Sequence, residues 1–61
     1  MLAEWTGQLI GQMHIHEVTR KMLADELGVT KSYVSMILNG QRNPPNVEQR
    51  FYSAFKRIIG K

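Results

Sequence analysis

The sequence predicts an all-α fold: a single compact domain of four helices. Three observations carry this. Apolar residues recur at steps of three and four along most of the chain, which places them on one face of a helix. Threonine, asparagine and glycine, the residues that open and close helices, fall between those segments. No stretch alternates apolar and polar side chains over four or more positions, so no strand is expected. The 61 residues are 43% hydrophobic, enough for one small core, and the domain is expected to span residues 1–61.

The first helix is read over residues 2–13, where Leu2, Trp5, Leu9 and Met13 share a face. Gly7 and Gly11 lie inside it. Each weakens it by about 1 kcal/mol relative to alanine, and the pair is read as a tolerated weakness rather than a close helix approach. The stretch His14-Ile15-His16-Glu17 has no clear period and is read as a corner. Thr19 then serves as an N-cap, Met22, Leu23 and Leu27 follow, and Gly28 is the natural stop. Thr30 caps a third helix with Val34, Ile37 and Leu38 on its inner face, ended at Gly40. Gln41-Arg42-Asn43-Pro44-Pro45 reads as a polar loop closed by prolines. Asn46 is the expected N-cap of the fourth helix, with Glu48 at its positive end and Lys56, Arg57 and Lys61 towards its negative end. The predicted core is Leu9, Met13, Leu23, Leu27, Val34, Ile37, Leu38, Phe51 and Phe55. Ile58 and Ile59 are about 100° apart on a helix, so one of them, with Tyr52 or Phe55 nearby, is expected to remain as an apolar surface.

Composition narrows the function classes. A chain of this size hardly spares the roughly 300 Å³ that a catalytic pocket takes, so a binding module is expected and not an enzyme. There is no cysteine, which removes disulfides and thiolate chemistry and fits a reducing compartment. No apolar run approaches the length of a membrane span, and the N-terminus does not read as a signal peptide. His14 and His16, two apart, point in different directions on a helix and lack a third ligand, so no metal site is expected. No catalytic residue, cofactor or small-molecule ligand is expected. Eight Lys and Arg against five Asp and Glu leave a net charge of +3, and the pI is near 9.7. Such a balance favours polyanions without deciding the matter.

The most informative stretch is residues 19–40. Two short helices that cross steeply need a small residue where they touch, and Ala24 is there. The tight turn between them needs a residue that accepts a positive φ, and Gly28 is there. Val29 is placed to tuck under the turn, while Leu23 and Leu27 anchor one helix and Val34 and Ile37 the other. These are the requirements of a helix-turn-helix. The segment ADELGVTKSYVSMILNGQRNPP resembles the lambda-repressor/Cro-like helix-turn-helix family, also called the XRE family. Its turn pattern is present as Leu23-Ala24 and Leu27-Gly28-Val29-Thr30, its third-helix pattern as Val34-Ser35, Ile37 and Gly40, and its loop as Arg42 to Pro45. The resemblance is strong over residues 19–45 and looser in the first and fourth helices. Two departures stand out. Many members carry an Arg late in the first helix and a Glu late in the third, paired and partly buried. Here those positions are Met13 and Leu38, a joint replacement that buries no lone charge. The family also usually has a fifth helix or tail that helps dimerisation, and here the chain ends after the fourth.

The resemblance implies a sequence-specific binder of double-stranded DNA, acting as a homodimer on an operator, in the manner of a small prophage or bacterial regulator in the cytoplasm. The recognition helix would meet base edges through Lys31, Ser32, Ser35 and Met36: Lys31 to guanine, the serines as adaptable partners, Met36 against a thymine methyl. Thr19, Arg20, Tyr33, Asn39, Gln41, Arg42 and Asn43 are the expected phosphate contacts. No acid occurs between residues 27 and 47, so this face meets a polyanion without repulsion. A protein-interaction module of the same fold, antitoxin-like or a phage accessory protein, is the alternative reading.

Overall fold

The computed structural model describes residues 4–60. Its helices are α1 (Glu4–Ile15), α2 (Arg20–Leu27), α3 (Lys31–Leu38) and α4 (Val47–Ile59). No strand occurs among the described residues. Helix α2 packs on both α3 and α4, and α1 closes the other side of α3 and α4.

One core holds the four helices together: Leu9 and Met13 from α1, Val18 from the first turn, Leu23 and Ala24 from α2, Val34, Ile37 and Leu38 from α3, and Val47, Phe51, Ala54 and Phe55 from α4. Eight of the nine expected core residues are buried. Leu27 is the exception. It is half-buried and only packs against the core, because it also lines a groove between α2 and α4 with Gln49, Arg50, Ser53 and Arg57. Met13 and Leu38 are 5% and 0% exposed, so the positions that carry an ion pair in many relatives are apolar and buried here. Leu2 lies outside the described residues. Trp5 covers the end of the core, set edge-on to Phe51 with ring centroids 5.9 Å apart, while the Tyr52 hydroxyl donates to the Trp5 carbonyl at 3.4 Å.

The ends of α1, α2 and α3 share one design. At each, the chain leaves the helix through a left-handed residue: Glu17 at φ 57, Gly28 at φ 74 and Gly40 at φ 77. The next amide turns back onto the last turn. Val18 N donates to Met13 O at 2.8 Å, Val29 N to Ala24 O at 3.0 Å and Gln41 N to Met36 O at 3.0 Å. This is the six-to-one bond of a Schellman motif, and it satisfies carbonyls that the helix leaves open. In α1 the two apolar residues that bracket the motif, Met13 and Val18, are both buried. The corner expected at residues 14–17 is therefore shorter, since helix continues through Ile15 and Glu17 makes the turn. Gly28 and Gly40 act as the sequence predicts. Asn46 does precede α4, but in a left-handed conformation at φ 65 with no side-chain cap bond. An N-cap hydroxyl or amide bonds from extended backbone, and the left-handed geometry aims the Asn46 side chain elsewhere.

Candidate nucleic-acid interface

The interface is built on the α2–turn–α3 unit. Thr19 opens α2 from extended backbone, and its hydroxyl oxygen accepts from Met22 N at 3.1 Å. The Thr19 amide in turn points at the Met22 sulfur, 3.4 Å away. Ala24, 3% exposed, leaves room for the close passage of the chain. Its carbonyl accepts from both Gly28 N and Val29 N, at 2.9 and 3.0 Å. This fork makes the turn tight. Thr30 then repeats the capping device, its hydroxyl oxygen accepting from Tyr33 N at 3.0 Å. The two helices are thus fixed at both ends of a three-residue connection, Gly28 to Thr30, by bonds that the local sequence specifies.

Helix α3 turns one side to the core. Val34, Ile37 and Leu38 are buried. Lys31 and Ser32 are exposed, and Ser35 and Met36 are half-buried on the same outward side. All four expected base-contact residues therefore lie on the face turned away from the core. Asn39, Gln41, Arg42 and Asn43 are exposed along the loop that follows. Thr19 is exposed and Arg20 half-buried at the start of α2. Tyr33 differs from the other expected phosphate contacts, because its ring packs partly against the core.

One feature of this surface was beyond sequence reasoning, and a second was legible there only in part. The first joins the helices: Arg20 Nη1 donates to Ser35 Oγ at 3.2 Å, across 15 residues of chain. The second concerns charge. Lys21 pairs with Asp25 at 3.1 Å, but Arg20 and Lys31 have no carboxylate partner among the described residues. Both stand in the first turn of their helices, where the macrodipole disfavours a cation, and neither first turn carries an acid. Away from the interface, Arg57 Nε donates to Glu26 at 2.8 Å and ties α4 to α2. Spacing alone carries no signal for either long-range contact, since each depends on how the helices cross. No three His, Cys, Asp or Glu side chains converge as a metal site among the described residues. No helix among them is long and apolar enough to cross a membrane.

Paired short helices, a left-handed glycine turn and an acid-free outer face define a helix-turn-helix module. A family model described as helix-turn-helix matches residues 16–48. It covers more than half of the chain, and the chain belongs to this lambda-repressor/Cro-like, or XRE, family of DNA-binding helix-turn-helix proteins. No curated protein and no solved structure matches the chain.

Proposed function

We propose that this protein is a transcriptional regulator of bacterial or prophage type that binds an operator sequence as a homodimer, with α3 in the major groove. One observation carries the reading: the outward face of α3, with Lys31, Ser32, Ser35 and Met36, is free of acids and has Lys31 as its one charge, while its inner face is committed to the core. Lys31, Ser32 and Met36 meet base edges, with Ser35 beside them on the same face of α3. Thr19, Tyr33, Asn39, Gln41, Arg42 and Asn43 hold the flanking phosphates, which supply affinity and make it salt-dependent. Thr19 has a hydroxyl proton to donate even while its oxygen caps α2. The regulator acts by steric occupation and needs no metal or cofactor for it.

A single module of this kind covers only about 600–1,000 Å² of protein surface on DNA. Two copies on a two-fold site double the contact, and the half-sites then lie about 34 Å apart. Selection of bound duplexes from a random DNA pool tests the whole reading. An enriched palindrome with that spacing is expected. A pool that stays unenriched at low salt overturns sequence-specific recognition.

A further inference from the structure

Arg20 is the first residue of α2, yet its guanidinium lies against α3. The bond from its Nη1 to Ser35 Oγ sets it on the face that also carries Lys31, Ser32 and Met36. Ser35 is itself a short reader: its hydroxyl is one carbon from the backbone, so it reaches less far from α3 than the arginine it holds. The bond to Ser35 uses one of five guanidinium donors and leaves a planar fork free. Half-burial of Arg20 restrains its stem before any ligand arrives, so less rotamer freedom remains to be lost on binding. The cation has no carboxylate partner among the described residues and stands at a helix end that disfavours it. Stability of the helix therefore does not account for it.

We infer that Arg20 reads a guanine in each half-site, donating to its O6 and N7, and that Ser35 is the positioning residue that aims it. The inference rests on the DNA-binding reading above. Guanine is the base because its major-groove edge presents two adjacent acceptors that match the guanidinium fork. A phosphate is the less favoured target, since the exposed residues of the α3–α4 loop already lie at the rim while this guanidinium sits over α3 itself. The recognition surface is then shared between two helices, and the base that Arg20 reads depends on the α2–α3 crossing.

The test is selection from a random duplex pool with the wild type, Arg20→Ala, Arg20→Lys, Ser35→Ala and the Arg20→Ala/Ser35→Ala double variant. Binding of the enriched duplex over a range of salt follows. Arg20→Ala is expected to relax a guanine preference at one position per half-site, with discrimination falling roughly 5- to 150-fold. Ser35→Ala relaxes the same position by less, and the double variant resembles Arg20→Ala. Arg20→Lys keeps the salt slope and loses part of the guanine preference, because lysine retains the charge and can still donate to guanine but lacks the planar fork. If Arg20→Ala weakens all duplexes alike and the enriched site is unchanged, Arg20 holds a phosphate and the inference fails. If Ser35→Ala alters a different position, Ser35 reads directly and the inference fails. Both outcomes leave the DNA-binding reading standing, whereas a wild type that enriches nothing overturns that reading and this one together. Melting by circular dichroism accompanies each variant. Should Arg20→Ala not fold, Arg20→Lys and Ser35→Ala decide the question.

Discussion

Gly7 and Gly11 face open space on α1, and a Cβ built on either meets no atom within 4 Å. They serve no close helix approach, and their effect is the extra chain entropy of glycine in a helix. Gly7→Ala and Gly11→Ala are each expected to stabilise the fold by about 0.5–1 kcal/mol. For a domain of this size that is a rise of several degrees in the thermal midpoint, roughly 4–8 °C per kcal/mol. Glu17 presents the opposite case, a side chain where glycine belongs. At φ 57 its Cβ crowds the carbonyl that follows, at about 1–2 kcal/mol. Glycine would relieve that strain and add back about 0.5–1 kcal/mol of chain entropy. Glu17→Gly is thus expected to raise the urea midpoint modestly, and Gly28→Ala, at φ 74, to lower it. No atom lies within 4 Å of a Cβ at Gly28, so that loss is one of backbone conformation alone. A Glu17→Gly protein that unfolds earlier than the parent would count against the strain.

The helices and the loop between α3 and α4 carry the next three predictions. Leu38 is fully buried on the inner face of α3, in the cluster that includes Met13 of α1. Leu38→Glu removes about 1.5–3 kcal/mol of burial and introduces an unpaired carboxylate. Against a total stability of about 5–15 kcal/mol, towards the low end for so short a chain, the variant should be largely unfolded at 37 °C. The Met13→Arg/Leu38→Glu double variant should regain part of the loss, since a buried charge is tolerated when paired. A Leu38→Glu protein that melts with the parent would break the proposed register of α1. On the outer face, Lys31→Ala is expected to change the base preferred by α3. Arg42→Ala should weaken binding evenly and reduce the salt slope by about one phosphate. Unchanged specificity in Lys31→Ala would place Lys31 on phosphate.

For the whole molecule, the apolar residues at the end of α4 bear on assembly. Ile58 packs partly on the core and lines a shallow hollow with Met22, Asp25 and Glu26. Ile59 is 40% exposed and Met22 39%. Phe55 is buried at 4% and leaves nothing for a partner, contrary to one of the two options that helical spacing allowed. We propose that a second copy docks on the C-terminal turn of α4, where Ile59 stands exposed beside the half-buried Ile58, since apolar surface on a DNA-binding module suits a two-fold contact. Sedimentation should show a dimer for the wild type and a monomer for the Ile58→Glu/Ile59→Glu variant. A wild type that stays monomeric at millimolar concentration and binds a single half-site refutes the dimer. A variant that remains dimeric moves the contact elsewhere. The Glu26–Arg57 pair is a smaller matter. At 23% and 53% side-chain exposure it is worth about 0–1 kcal/mol.

The sequence by itself determined the elements that local chemistry controls. Thr19 and Thr30 cap because a hydroxyl reaches an amide three residues on. Gly28 and Gly40 turn because only glycine enters the left-handed region freely. Val34, Ile37 and Leu38 face inward because helical period puts them together. The family followed from the same residues, and so did the face that carries Lys31, Ser32, Ser35 and Met36. The tertiary structure decided everything that depends on how two helices cross. It brought Arg20 to Ser35 and Glu26 to Arg57, chose Ile58 over Ile59 for the core, and drew Leu27 out to the edge of a groove. It also decided Glu17, whose left-handed turn no side-chain preference announces. Burial of Met13 and Val18 holds that turn closed, and packing of those two residues outweighs the local preference of the glutamate between helices.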